Sequence, residues 1–396
     1  MGPRMNNRYL EINYYQEPKY HQLIAGDAFI FHKVTEENRI ISVLSDGLGS
    51  GIKASVLATL TSSMAKNLAA QKVEVTQIAE IIMKTLPVCK VRRISYSTFT
   101  IVDIEESHHV SVIEYGNPRF LFVRSNKIID DGSVITHKIL GEYKNDYLNL
   151  YSFKLSKNDR IIYFSDGVTQ SGMGTPNHPF GWTREKVITF VENQILENSS
   201  ISAADLSKNI VLRSKTNDHF KCKDDTTCGV IYSRLPRRTL VVTGPPFDKS
   251  KDSEMARAVA LFDGKKIICG GTTAKIISRE LDLEVKVNIS NLDPNVPPDS
   301  AMAGVDLITE GIITMVHVRS LLQEGKSSNK NSNAAVKVVN HLLNSDIIEF
   351  IVGTKINEVH QDPNIPGDLA IRKTIIRDII KILEDQYLKR VNVRFI

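Results

Sequence analysis

Hydrophobic residues in the first 235 positions follow two spacings, and the spacing predicts where strands and helices form. Short apolar runs bounded by turn residues are typical of buried strands, whereas apolar residues at every third or fourth position indicate a helix. The predicted strands are Leu23–Val34, Arg39–Leu44, Tyr96–Ile104, Val110–Tyr115, Phe120–Arg124, Arg160–Phe164 and Thr227–Tyr232. The predicted helices contain Val56, Leu57, Leu60, Met64 and Leu68, then Ile78, Ile81 and Ile82 before Pro87, then Arg184–Leu196 and Ala203–Arg213. This order predicts a mixed α+β domain.

A polar, proline-containing segment, Arg234-Leu235-Pro236-Arg237-Arg238, separates this region from the rest of the chain. We therefore expect two domains, residues 1–235 and residues 236–396, and the alternation of strands with helices predicts an α/β fold for the second. Its predicted strands are Leu240–Thr243, Lys266–Cys269, Glu284–Val287, Ile347–Gly353 and Val391–Ile396. Its predicted helices are Ser253–Phe262, Thr273–Leu281 and a strongly amphipathic one through Ile371, Ile375, Ile376, Ile379, Ile382 and Leu383. Loops are predicted at Asn291–Ser300 and Gly325–Asn333.

Composition narrows the classes of function. The 396 residues are 42% hydrophobic and 24% charged, with a formal charge of +5, as expected for a globular protein. There is no dense block of Lys and Arg, so we expect no nucleic-acid binding, and no apolar run long enough to predict a membrane span. The four cysteines, Cys89, Cys222, Cys228 and Cys269, form no Cys-x-x-Cys pair. We expect no zinc site and reduced thiols in a cytoplasmic protein, with a Cys222–Cys228 regulatory disulfide as the alternative.

Four aspartates are the candidate functional residues. Each lies where a strand-like run meets a turn. They are Asp27 after Gly26, Asp46 before Gly47, Asp166 before Gly167, and Asp224 before Asp225. Residues 41–47 read ISVLSDG and residues 161–167 read IIYFSDG. A single Asp-Gly pair is usually only a turn, but several converging carboxylates cannot stay ionised without a cation. All-oxygen ligands favour Mg²⁺ or Mn²⁺, and this predicts metal-assisted chemistry on a phosphate.

These motifs resemble those of a known family, the SpoIIE-like bacterial branch of the metal-dependent serine/threonine protein phosphatases (PPM superfamily). The resemblance runs from about Ile24 to Leu235, and its most specific part is Asp46–Ala54, which reads DGLGSGIKA. It implies a four-layer α-β-β-α sandwich with the metals in a cleft between the two sheets. It also implies hydrolysis of phosphoserine or phosphothreonine by a water that two Mn²⁺ or Mg²⁺ ions activate.

The resemblance further implies roles for individual residues. Asp46 would bridge both ions, Asp166 and Asp224 would complete the shell of one, and Asp27 and the Gly47 carbonyl would serve the other. Asp225 would support the site, although Asp224 and Asp225 could exchange roles. Asp46, Asp166 and Asp224 are the candidate catalytic residues.

Two further features near these motifs are candidates with plain structural alternatives. Gly49 and Gly51 precede the first predicted helix and form a candidate switch, since in similar phosphatases the following helices move; a simple loop is the alternative. Arg92 and Arg93 are candidates for binding the substrate phosphate, and a solvated surface pair is the alternative.

In the second half, Gly270-Gly271-Thr272-Thr273 follows a predicted strand and opens a predicted helix. Exposed amides at a helix start suit an anion, so this loop is a candidate ligand site. Tight turns with threonine caps are the alternative.

Together these features predict a bacterial signalling phosphatase with an appended sensor or docking domain. The resemblance suggests a STAS-like anti-anti-sigma phosphoprotein as substrate, and a homodimer is left open. Two alternatives stay open at this point. One is a catalytically weak scaffold that binds a phosphoprotein, and the other is a phosphatase half that controls a C-terminal ligand-binding or enzymatic domain.

Overall fold

The computed structural model describes residues 8–34, 39–49, 51–71, 73–85, 97–129, 135–140, 145–287, 300–325, 333–355, 368–387 and 389–396. These residues form two compact units, Met1–Leu235 and Pro236–Ile396. Cys89, Arg92 and Arg93 lie outside the described residues, as do most of the predicted loops at Asn291–Ser300 and Gly325–Asn333. No helix in the described ranges is both long and apolar enough to cross a bilayer.

The first unit contains two largely antiparallel sheets. Its strands are β1 (Tyr9–Glu17), β2 (Asp27–Val34), β3 (Arg39–Gly47), β4 (Ser97–Ile104), β5 (His109–Tyr115), β6 (Leu121–Arg124), β7 (Lys127–Ile129), β8 (Ile135–Leu140), β9 (Asn145–Lys154), β10 (Arg160–Phe164) and β11 (Thr226–Arg234). Sheet I has the strand order β1-β11-β10-β6-β7, and sheet II has the order β2-β3-β4-β5-β9-β8. Every strand pair in both sheets is antiparallel.

In the described ranges of the first unit, helices cover the outer faces of these sheets. They are α1 (Ile52–Ala70), α2 (Val75–Thr85), α3 (Asp166–Gln170), α4 (Thr183–Glu197) and α5 (Ala203–Asn217). One core joins sheet II to α1 and α2, and another joins sheet I to α4 and α5. A third core lies between the sheets and includes Leu44, Phe122 and Ile231. The unit is therefore a four-layer α-β-β-α sandwich, and the predicted fold class is confirmed.

Helix α1 forms where predicted, but the face that it buries differs from the predicted apolar stripe. Its buried residues are small: Ala54, Ala58, Thr61, Ser62, Ala65 and Ala69. Val56 is 59% exposed and Leu60 is 46% exposed, and only Met64 and Leu68, at the C-terminal end of the predicted stripe, pack against the core. Small side chains allow the helix backbone to lie close to the strands, and this close packing decides the orientation of α1.

Strand β2 was predicted to begin at Leu23, but it begins at Asp27, and Leu23 is exposed. Asp27 therefore starts a strand instead of ending one. Strand β1, which the sequence did not predict, pairs with β11 over nine residues. Its aliphatic residues, Leu10 and Ile12, are separated by polar ones and are only half-buried, so it lacks the continuous apolar run that identified the other strands.

The second unit is built on one sheet. Its strands are β12 (Arg238–Thr243), β13 (Lys265–Cys269), β14 (Lys286–Val287), β15 (Ser300–Met302), β16 (Val305–Thr309), β17 (Ile347–Val352) and β18 (Arg390–Phe395), in the spatial order β14-β15-β16-β13-β12-β17-β18. The five strands from β16 to β18 in this order are parallel, and β14 and β15 are antiparallel.

Helices lie on both faces of this sheet. They are α6 (Asp252–Leu261), α7 (Gly271–Leu281), α8 (Ile312–Glu324), α9 (Ala334–Leu343) and α10 (Asp368–Asp385). Helices α6 and α7 pack with Leu240, Val242 and Ile268 on one face, whereas α8, α9 and α10 pack with Val241 and Ile267 on the other. Alternate residues of the central strands thus feed two cores, as in doubly wound α/β folds.

Candidate metal centre

Asp27 and Asp46 are direct partners across the antiparallel pair β2–β3. Residues that face each other in this way project to the same side of a sheet, and like charges there repel. The Gly47 amide extends the pairing by donating to the Gly26 carbonyl at 3.3 Å. The strand register therefore holds two carboxylates together before any other element contributes.

The glycines beside these acids allow close approaches of the backbone. A Cβ built on Gly47 would lie 2.1 Å from the Ala54 carbonyl oxygen, and one on Gly167 would lie 2.2 Å from the Asp225 carbonyl oxygen. The first turn of α1 and the loop before β11 are thus seated directly on these glycines. This contact explains why each Asp-Gly pair contains glycine, since any side chain would push the two segments apart.

Asp166 is the first residue of α3 and follows the buried strand β10. Its Oδ2 accepts a hydrogen bond from Nε2 of Gln170, one turn later, at 2.8 Å. A carboxylate at a helix start also benefits from the helix dipole. The second Asp-Gly motif thus brings an oriented acid from sheet I toward the acids of sheet II.

Asp224 and Asp225 occupy the loop before β11 and have different surroundings. Asp225 is buried, its Oδ1 accepts from the Lys19 amide at 3.0 Å, and its Oδ2 lies 2.7 Å from where a Gly26 Cβ would be. The carboxyl side chain of Asp224 is 41% exposed, and its Oδ1 lies 3.9 Å from the Lys19 ammonium. Asp225 therefore ties the loop to the start of β2, while Asp224 faces solvent.

Burial and mutual repulsion raise the pKa values of Asp27, Asp46, Asp166 and Asp224. Burial raises the pKa of Asp27 to about 7. Burial, and then the charges of Asp27 and Asp166, raise the pKa of Asp46 to about 9. Burial also raises the pKa of Asp166 and of Asp224. Such shifts indicate a site that lacks a compensating positive charge.

A hard cation fits this donor set. The Oδ1 atom of Asp27 is buried and has no hydrogen-bond partner among the described residues, and the clustered donors are carboxylate oxygens, which Mg²⁺ and Mn²⁺ prefer. No group of three or more His, Cys, Asp or Glu side chains in the described ranges already has the spacing of a metal site. Binding would therefore need rotation of at least one carboxylate toward the others.

The remaining candidates fall into three groups. Gly49 and Gly51 lie at the entry to α1 with φ of 108° and 69°, a region that favours glycine. Arg92 and Arg93 lie outside the described residues. The loop Gly270-Gly271-Thr272-Thr273 belongs to the second unit, where it opens α7.

Sequence reasoning missed three polar neighbours of the acids. Thr227 Oγ1 donates to Oδ2 of Asp27 at 2.7 Å, Gln170 holds Asp166, and Lys19 contacts both Asp224 and Asp225. Gln170 could have been identified, because it lies four residues after Asp166 in a helical stretch. Lys19 and Thr227 are brought to their partners only by pairings between distant segments.

Comparison with known proteins decides the family. The family model of Stage II sporulation protein E (SpoIIE) matches residues 36–233, half of the chain. The chain belongs to the SpoIIE family. The predicted resemblance is thereby confirmed, and the first unit is a PP2C-type serine/threonine protein phosphatase domain.

Solved structures similar to this SpoIIE-family protein include three bacterial proteins. The PP2C phosphatase domain of SpoIIE from Bacillus subtilis, with a fragment of its regulatory domain, is 15% identical with a TM-score of 0.48 over 57% of this chain and 62% of that chain. RsbX in complex with magnesium is 19% identical, with a TM-score of 0.40, and the match covers 57% of this chain and 95% of that chain. The serine/threonine phosphatase of S. agalactiae is 14% identical, with a TM-score of 0.40, and the match covers 57% of this chain and 99% of that chain. No curated protein matched the sequence.

Proposed function

We propose that this protein hydrolyses phosphoserine or phosphothreonine on a bacterial signalling protein, using two divalent ions, Mn²⁺ or Mg²⁺. The observation that carries the proposal is the convergence of acids from three separate segments on Asp46, whose pKa is raised by burial and by the charges of its acidic neighbours. A buried, unpartnered carboxylate oxygen on Asp27 adds to this support. Membership of the SpoIIE family supplies the class of reaction.

The proposed roles of the acids differ according to their surroundings. Asp46, at the centre, would be shared by both ions, with Asp27 and the Gly47 carbonyl on one side and Asp166 and Asp224 on the other. Asp225 holds the loop, since its Oδ1 is already hydrogen-bonded to the Lys19 amide. When bound, the ions supply an activated water and neutralise charge on the phosphoryl oxygens.

Lys19 is the cation that we propose for orienting the substrate phosphate. Its side chain is 39% exposed and its ammonium lies 3.9 Å from Asp224 Oδ1, so it borders the acids without being fixed by a close ion pair. An exposed ammonium can turn toward a phosphate as a point charge. A STAS-like anti-anti-sigma phosphoprotein is the proposed substrate, in keeping with the SpoIIE family.

The test is hydrolysis of a phosphopeptide by the full chain with Mn²⁺ and with EDTA. We expect activity only with the metal, and Asp46→Asn should lower kcat by several orders of magnitude because it removes a shared ligand charge. Asp103→Asn is the matched control, since Asp103 is also buried in sheet II but pairs with Arg39. Unchanged hydrolysis in EDTA would contradict the mechanism. Binding of the phosphoprotein without turnover would instead identify a scaffold.

A further inference from the structure

Helices α7 and α8 of the second unit begin at the carboxyl ends of strands β13 and β16 of the parallel sheet. These strands are neighbours, with Ile267 beside Leu307 and Cys269 beside Thr309. Helix α7, which follows β13, packs on one face, whereas α8, which follows β16, packs on the other. The chain segments that leave these neighbouring strands thus pass to opposite faces of the sheet, and ligands of open α/β sheets bind outside the carboxyl ends of the strands.

The two helix starts at the ends of β13 and β16 lie close together and have no side-chain caps. Gly270 precedes α7 and Gly311 precedes α8, and neither helix start receives a capping hydrogen bond from its preceding residue or carries an acid in its first turn. A Cβ built on Gly311 would lie 3.5 Å from the Gly270 Cα. The first amides of each helix have no intrahelical acceptor, so two sets of free N–H groups converge at one place.

A buried hydroxyl beside these amides also lacks a partner. Thr273, the third residue of α7, is 1% exposed, and its Oγ1 has no hydrogen-bond partner in the part of the chain that the structure describes. This oxygen lies 3.3 Å from where a Cβ on Gly270 would be, so it points into the space that the glycine leaves open. Thr314, at the same position in α8, is also buried and unpartnered there. Leaving such groups unsatisfied is costly.

The space above the first turn of α7 is open. A Cβ built on Gly271 meets no atom within 4 Å, and Gly271 is exposed. Glu310, directly before Gly311, is also exposed at this edge of the sheet. A carboxylate here can accept hydrogen bonds from sugar hydroxyls.

We propose that the second unit binds a phosphorylated sugar or nucleotide, with its phosphate over Gly270 and Gly271 between the starts of α7 and α8. The phosphate accepts hydrogen bonds from the free amides and from the Thr273 hydroxyl, and Glu310 accepts from the sugar. The candidate ligand loop Gly270-Gly271-Thr272-Thr273 becomes one wall of a two-helix site, and Gly311 and Thr314 form the other.

Calorimetry on the full chain tests the site, with AMP, ribose 5-phosphate and inorganic phosphate as probes. EDTA and constant ionic strength exclude binding through metal in the first unit. Gly271→Asp should weaken AMP binding about tenfold or more, because it places a negative charge beside the phosphate. Its thermal stability should equal or exceed that of the wild type, since an acid at a helix start is favourable. Gly271→Asn, the uncharged control of similar size, should lose less affinity.

A second variant distinguishes a loss of ligand binding from a loss of folding stability. Thr273→Val removes a hydroxyl that has no partner, so it should leave the free protein equally or more stable while weakening all three probes. Glu310→Gln should weaken AMP and ribose 5-phosphate but not inorganic phosphate. Equal AMP affinity in wild type and Gly271→Asp would overturn the proposal. So would the absence of saturable binding of every probe up to about 10 mM, a tenfold weaker limit than a Kd of about 1 mM.

Discussion

Thr227 in sheet I donates a hydrogen bond from Oγ1 to Oδ2 of Asp27 in sheet II, at 2.7 Å. The same Thr227 oxygen accepts from Nε2 of Gln16 at 2.9 Å. This bond spans the two sheets at the edge of the acid cluster and leaves only Oδ1 of Asp27 without a partner among the described residues. The hydroxyl thus fixes the orientation of a proposed metal ligand from the opposite sheet.

Thr227→Val should therefore lower metal affinity without abolishing folding. Loss of one donor to a buried carboxylate costs about 1–3 kcal/mol, and we expect the Kd for Mn²⁺ to rise about tenfold or more. Titration of Mn²⁺ by calorimetry measures this change. Ser233→Ala is the control, because Ser233 is buried on the same strand and its hydroxyl has no partner in the described ranges. A similar loss of affinity in both variants would contradict the role of Thr227.

Asp46→Asn should make the metal-free protein more stable. The pKa of Asp46 is raised to about 9 by burial and by neighbouring acids, which is far above the value of an unfolded aspartate. The native state therefore keeps a proton that the unfolded state releases, and stability falls as pH rises toward that pKa. In EDTA at pH 8 we expect the Tm of the variant to exceed that of the wild type by a few degrees, which corresponds to a gain of roughly 1 kcal/mol in the free energy of unfolding. Thermal unfolding with and without Mn²⁺ should also show that the variant loses most of the metal-induced gain.

The stability of the fold should also depend on pH through Glu114, which is not part of the acid cluster. Burial raises its pKa to about 7 although its Oε1 accepts from the Phe120 amide at 2.7 Å. Because the folded pKa exceeds the unfolded one, the ionised form destabilises the fold, and stability falls as pH rises between about 4.5 and 7. Glu114→Gln keeps the acceptor and should be more stable than wild type by about 2 kcal/mol at pH 8, with little gain at pH 4.5. Urea unfolding at both pH values measures the difference, and an equal gain at both would be inconsistent with this cause.

The two glycines that follow Asp46 should respond differently to substitution. Gly47→Ala places a Cβ 2.1 Å from the Ala54 carbonyl oxygen, so α1 must move, and we expect a loss of about 1–3 kcal/mol in unfolding free energy. Gly49 has no neighbour within 4 Å of a built Cβ, but its φ of 108° strains any other residue. Gly49→Val should give a folded protein with weaker Mn²⁺ binding. Circular dichroism and Mn²⁺ titration distinguish these outcomes, and wild-type metal affinity in Gly49→Val would mean that the junction is only a turn.

The family and the order of most elements could be read from local patterns. Apolar runs identified β3, β4, β5 and β10 because these strands are buried on both faces, and the repeated Ser-Asp-Gly ends identified Asp46 and Asp166. Strand β1 was missed because it is a half-buried strand at the edge of sheet I without a continuous apolar run, and its pairing with β11 joins segments more than two hundred residues apart. The exposure of Val56 and Leu60 was also missed. Helical spacing identifies an apolar stripe, but it does not show which face of the helix packs against the sheet.

The sequence by itself determined which acids are present, which glycines adjoin them and which family the chain belongs to, because these depend on short contiguous motifs. Only the tertiary structure decided that Asp27 faces Asp46, that Asp225 is tied to Lys19, and that Gly270 lies beside Gly311. Each of these relationships depends on strand register or on the packing of segments far apart in the chain. Register and packing are set by the total burial of apolar surface, which no local pattern encodes.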